Sequence, residues 1–177
     1  MIYFTSDLHL NHVNILRYQA HTRLHSTIEE MNIDIIEKIN IICSEKDDLY
    51  ILGDVLMGPR NKGLYLIQQL KPKLHLIRGN HDTFNHEQES ELFETVHDYK
   101  VVKENKHSIV CSHYPIEEWD KAHYGIIHLY GHCHGNLKRK LPNRFDIGWD
   151  VHARPVSFEE VMTWKELEKV THHGETV

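Results

Sequence analysis

The chain has 177 residues, 40% of them hydrophobic and 26% charged, with 17 histidines and a formal net charge of −6. That length suits one soluble globular domain over residues 1–177, and the acidic balance argues against a general nucleic-acid binder, which carries a basic face. No apolar run approaches the ~18 residues a membrane span needs, "MIYFTSD" lacks the features of a leader, and three cysteines without a C-x-x-C suit a reducing, cytoplasmic setting.

In chain order, "IYFT" at 2–5 predicts a buried strand, short and rich in β-branched and aromatic residues, and runs into "SDLH", which supplies Asp7 and His9. His12 and Asn14 follow, placed either to face a substrate or to cap the next helix. Arg23 lies in a polar loop, as a solvated surface arginine or as a bidentate phosphate clamp. Ser26, three residues before Glu29, predicts a capping box, and Ile28, Met31, Ile35, Ile39 and Ile42 then recur at helical spacing. "LYIL" at 49–52 predicts the next strand and leads into "GD" with Asp54. A helix is expected over 62–70, then the strand "LHLI" at 74–77, followed by "RGNHD" with Asn80, His81 and Asp82. A third helix is expected over 90–96. "SIVC" at 108–111 runs into "SHYP" with His113, and "IIHLY" at 126–130 runs into "GHCHG" with His132 and His134. The last helix is expected from Ser157, with Glu160 three later, to about Val170.

The early β-α-β-α-β alternation predicts a parallel sheet with crossover helices, and the closer later strands predict a mixed or antiparallel part, giving a layered α/β sandwich. All five predicted strands end in a side chain able to bind metal or move a proton. In open α/β sheets, ligands bind beyond the carboxyl ends of the strands, where residues distant in sequence converge. Residues two apart in extended chain point to one side, so D-x-H and H-x-H can each present a pair, with Cys133 turned away as a packing residue. Any one block occurs by chance in a histidine-rich chain, and "GNHD" alone reads as a turn; five blocks, each capping a strand, do not read as accident. Mixed imidazole, carboxylate and amide donors suit Mn, Fe, Zn, Co or Ni better than Mg or Ca.

The blocks "DLH", "GD", "GNHD", "SH" and "GHCH" stand in the order found in calcineurin-like metallophosphoesterases, and from Asp7 to His134 the sequence resembles that family, in particular a small single-domain bacterial or phage subgroup. The resemblance implies a four-layer α-β-β-α sandwich with two divalent transition-metal ions, Mn first among them. It implies Asp7, His9 and His134 at one metal, Asn80, His113 and His132 at the other, and Asp54 bridging both. It implies hydrolysis of a phosphate ester by in-line attack of a hydroxide held between the metals. His81 would stabilise the transition state or protonate the leaving oxygen. Many relatives read G-D-x-x-D and orient that histidine with the second Asp; here the position is Met57. His12 and Arg23 are the candidate substrate contacts. Arg78 reads as an ion-pair or phosphate residue, and Asp82 and Asp150 as structural residues. His21, His25, His172 and His173 read as ordinary surface residues. The expected substrate is a small, nucleotide-like phosphate monoester or diester, with no stable nucleic-acid or membrane partner and no signal for oligomeric state. A nuclease, or a scaffold of this fold without catalysis, are the alternatives.

Overall fold

Side chains along each strand of a sheet alternate between its faces, and in this protein that alternation feeds two cores. The computed structural model describes residues 1–172, apart from the side chains of Arg60 and of residues 166–172. The first half runs β1 (Ile2–Thr5), α1 (Ile15–Tyr18), α2 (Ile28–Ile42), β2 (Asp48–Ile51), α3 (Arg60–Ile67), β3 (Lys73–Ile77), α4 (His86–Leu92) and β4 (Thr95–His97). The second runs β5 (Tyr99–Glu104), β6 (His107–Ser112), β7 (Ile127–Tyr130), β8 (Arg144–Asp146), α5 (Trp149–His152), β9 (Val156–Ser157) and α6 (Phe158–His172). The first sheet has the order β4-β3-β2-β1-β9, the second β5-β6-β7-β8. β1 to β4 are parallel, with β9 antiparallel on the β1 edge; β6, β7 and β8 are parallel, with β5 antiparallel to β6.

One core lies between α2 and the first sheet, where Met31, Ile35 and Ile39 meet Leu49, Ile51, Leu74 and Leu76. Burying each such side chain is worth about 1.5–3 kcal/mol against exposure, which is what fixes the helix on the sheet. The other core lies between the sheets: Phe4, Leu52 and Ile77 from the first face Ile109, Cys111, Ile127 and Leu129 from the second. Phe158 and Val161 of α6 join it, and Trp164 packs edge-on against Phe145 of β8. The result is the expected α/β architecture, two stacked sheets flanked by helices. No helix among the described residues is long and apolar enough to cross a membrane.

Several boundaries differ from those predicted. The cap of α2 is Thr27, not Ser26: its side chain accepts from Glu30 N at 3.2 Å, while the Glu30 carboxylate accepts from Ser26 N, one residue before the cap, at 2.9 Å. Helix α4 starts before the predicted 90–96 because Asn85 and Gln88 form a capping box, and it stops at Leu92. Thr95 and Val96, read as helical, form β4 on the edge of β3, since β-branched side chains suit a pleated edge. β4, β5, β8 and β9 lack long apolar runs and escaped the pattern. Ser157 does cap α6, accepting from Glu160 N at 3.1 Å. His173 and the side chain of His172 lie outside the described residues.

Candidate metal centre

The parallel strands β1, β2, β3, β6 and β7 deliver their C-terminal loops to one end of the stacked sheets. There Asp7, His9 and His134 place ligand atoms within 4.8 Å of one another, and Asp54, His113 and His132 form a second such group. Asp54 faces both groups, with Oδ2 3.7 Å from His9 Nε2 and 3.6 Å from His113 Nε2. Asn80 Oδ1 lies 3.0 Å from His113 Nε2, on the side of the second group. All seven residues expected as ligands therefore converge.

The loops achieve this by bent rather than extended backbone. Asp7, His9, Asp54, His132 and His134 have φ of 55°, 49°, 53°, 67° and 48°. The D-x-H and H-x-H pairs are thus not the extended triplets expected from the sequence: each is presented by left-handed turns, a conformation costing non-glycine residues about 1–3 kcal/mol each. Five of the seven candidate ligands carry this strain, although Asn11, Asn105, Lys106, Lys121, Asn143 and Ala153 share the conformation elsewhere. Glycines make room for it. A Cβ on Gly131 would run into Ser6 Oγ and the Asp7 carboxylate.

Buried hydrogen bonds fix the ligands. His113 Nδ1 donates to Leu52 O at 2.8 Å, which leaves the Nε2 lone pair facing the site beside Asn80 Oδ1. His134 Nδ1 pairs with Asp150 Oδ2 at 2.6 Å. A metal-binding histidine typically donates its other nitrogen to a carbonyl or carboxylate in this way. Asp7 accepts from His132 N at 3.1 and 2.9 Å, and Asp54 Oδ1 accepts from His81 N at 2.9 Å. Asp82 accepts from the backbone of Gly79, Asp54 and Val55, so its expected structural role is to pin the "GD" loop to the "GNHD" loop.

The electrostatics leave a cation wanted. Burial pushes the Asp7 carboxyl up to about 6, partly offset by His134 and His113. Burial pushes His9 down to about 2, with His134 and His12 adding repulsion. Both ring nitrogens of His9 are buried without a hydrogen-bond partner. An imidazole that is neutral, buried and unpartnered beside carboxylates is costly unless its lone pair meets a positive charge. The donor set therefore fits divalent metal ions.

The remaining predicted residues divide. His81 is beside the cluster, its side chain 38% exposed and its Nε2 4.0 Å from Asp54 Oδ2. Its ring makes no hydrogen bond among the described residues, and the Asp54 carboxylate, 4.0 Å away, is too distant to stand in for the one missing at Met57. His12 is half-buried, its ring centroid 5.2 Å from that of His9, with Nδ1 unpartnered. Arg23 is neither a surface arginine nor a phosphate clamp. It is 2% exposed, and its guanidinium is committed to Asp150 at 2.7 and 2.9 Å, to Asp7 O at 2.6 Å and to Leu8 O at 3.2 Å. Arg78 is likewise occupied, by Glu89 and Asp98. Cys133 is half-buried outside both ligand groups, and burial raises its thiol pKa.

Two residues matter more than the sequence suggested. Asp150 joins His134, Arg23 and Thr22 on one carboxylate, and although burial opposes its charge, His134 and Arg23 hold its pKa well below the usual range. Asp146 accepts from Gly135 N at 3.0 Å and Gly148 N at 2.8 Å, bracing the "GHCHG" turn. The one available signal was position, since both follow the last motif in "RFDIGWDVH".

The family model for calcineurin-like phosphoesterases matches residues 1–176. The chain belongs to that family. Membership places it among the phosphoric ester hydrolases. The uncharacterized protein MJ1445 of Methanocaldococcus jannaschii is 30% identical over 178 residues, covering 96% of this chain and 93% of that protein. A protein of unknown function from Aquifex aeolicus, AQ665, superposes with a TM-score of 0.75 at 23% identity, covering 93% of this chain and 98% of that one, and so shares the fold.

Proposed function

We propose that this phosphoesterase works with two divalent transition-metal ions on a small phosphate ester, with manganese first among Mn, Fe, Zn, Ni and Co. The observation that carries the reading is Asp54, whose Oδ2 lies within 3.7 Å of a histidine from each ligand group. Asp7, His9 and His134 would hold one ion, Asn80, His113 and His132 the other, and Asp54 both. Metal ions in such a pair supply charge neutralisation at a phosphoryl group and acidify water.

The chain's own side chains do the rest. Asp150 and Leu52 O hold His134 and His113 in the tautomer that turns a lone pair inward. His81, half-exposed beside Asp54, is placed to hydrogen-bond a phosphoryl oxygen or to give a proton to the leaving oxygen. With no carboxylate orienting it, its contribution should be smaller than that of the ligands. His12 is placed to contact the substrate from the His9 side. Three free cysteines, two of them buried, support a reducing cytoplasmic compartment.

The test is metal analysis with a hydrolysis panel of p-nitrophenyl phosphate and bis-p-nitrophenyl phosphate across Mn, Ni, Co, Zn and Fe. The expected result is about two ions per chain and metal-dependent turnover of at least one ester. Folded, metal-loaded protein inert on both would support a binding scaffold instead.

A further inference from the structure

Beside the ligand cluster lies a cleft of about 470 Å³ whose lining includes Asn80 and His113 together with Tyr99, Tyr114 and Ile116. It therefore borders the candidate metal centre, sharing two of its candidate ligands as lining residues. Tyr114 stands edge-on to His113 and His132, with centroids 5.0 and 4.7 Å apart. The histidines brace the ring, yet Tyr114 is 50% exposed, and Tyr99, which lines the same cleft, is 40% exposed. Two open aromatic rings next to a phosphoester centre are what a planar group stacks on.

Charge narrows the choice. The fixed cation among the lining residues is Arg78, and Glu89 and Asp98 already occupy it. Asp98 lines the same cleft and adds a carboxylate acceptor that is 85% exposed. A second phosphate would meet no free positive charge there and one negative charge. A neutral ring carrying N–H donors would meet two aromatic side chains and an acceptor. A smaller hollow of about 250 Å³ beside His81 offers less, because its Phe84 already packs edge-on against Phe93.

We propose that this cleft seats the base of a nucleoside phosphate ester, stacked on Tyr114 with Tyr99 as the facing wall, while the phosphoryl group lies at the Asp54 cluster. The assignment rests on reading that cluster as a phosphoester centre. It makes Tyr114 and Tyr99 specificity residues and disfavours polyphosphates and simple sugar phosphates as substrates.

The test uses two probes so that the two readings can fail separately. Adenosine carries the base and no phosphate, and its binding is followed by saturation-transfer NMR. Adenosine 5′-monophosphate and ribose 5-phosphate are then compared as competitors of bis-p-nitrophenyl phosphate turnover. The expected result is saturation of the adenine ring protons and a preference of roughly tenfold for the nucleotide over the sugar phosphate. Tyr114→Ala should abolish most of both, while Tyr114→Phe keeps the ring and should retain both. Unsaturated adenine protons in the wild type would overturn the proposal, as would an unchanged preference in a Tyr114→Ala protein with wild-type Tm. Adenine saturation that depends on Tyr114, in a protein that hydrolyses no ester, would leave the cleft assignment standing and overturn the hydrolase reading.

Discussion

Replacing Asp150 by Ala should damage stability and metal affinity together, for separable reasons. The carboxylate is 0% exposed and the Arg23 side chain it holds 1% exposed. Removing one partner of such a pair leaves a buried charge uncompensated, at a cost of about 3–5 kcal/mol. With a urea m-value of about 2 kcal/mol per molar, the unfolding midpoint of metal-free protein should fall by about 2 M. His134 also loses the acceptor 2.6 Å from its Nδ1, and loss of such a support typically weakens metal binding about 10–100-fold. The double variant Arg23→Met/Asp150→Leu separates the effects. Its buried charge is gone, so much of the stability should return. Recovery stays partial because the carbonyls of Asp7 and Leu8 lose Arg23 as their donor, at about 1–3 kcal/mol for each one left unpaired. Metal affinity should stay low, since His134 is still unsupported. Urea titrations and calorimetric metal titrations of all three proteins check this. An Asp150→Ala midpoint within about 0.3 M of wild type, or unaltered metal affinity, would refute the reasoning.

Three further outcomes are expected. Asp54→Ala should reduce bound metal from about two ions to one or fewer and cut turnover by about a thousandfold, since both ligand groups lose their shared carboxylate; metal analysis and steady-state rates show it. Gly131→Ala should fold with a lowered Tm and lose affinity for the first ion, because its Cβ would displace the Asp7 carboxylate. His128 is fully buried, donates to Val110 O, accepts from Ile116 N, and is pushed by burial from 6.5 down to about 4. Between those values the unfolded chain binds a proton that the native state refuses, so stability rises with pH across this window and is lost as pH falls from about 6.5 to 4. Relative to His128→Gln, the wild type should lose up to about 3 kcal/mol more over that range in urea titrations; parallel pH profiles would count against it.

Much of the candidate centre was legible in sequence because each candidate ligand follows closely after a strand, and strand ends are marked by apolar runs that give way to Gly, Asp or His. Strands such as "IYFT" and "LHLI" announced themselves because both faces are buried. β4, β5 and β9 are partly exposed or very short, so their pattern is weak. Thr95 and Val96 carried the β-branched signal, but two such residues at the end of the helix expected over 90–96 are too short a run to mark a strand. Arg23 shows the sharper failure. A polar residue in a polar loop has no local mark of burial, and its partner Asp150 lies 127 positions away.

The sequence by itself determined the family, the order of the five motif blocks and the candidate donor residues, because donor chemistry is a property of residue type and of position after a strand. Only the tertiary structure decided how those donors are aimed. The left-handed turns at Asp7, His9, Asp54, His132 and His134 are stable only because the packed sheets impose them. The support of His134 by Asp150, the burial of Arg23 and the Tyr99–Tyr114 cleft arise from contacts between segments far apart in the chain. Such contacts depend on how the two sheets stack, a long-range packing outcome that no local periodicity encodes.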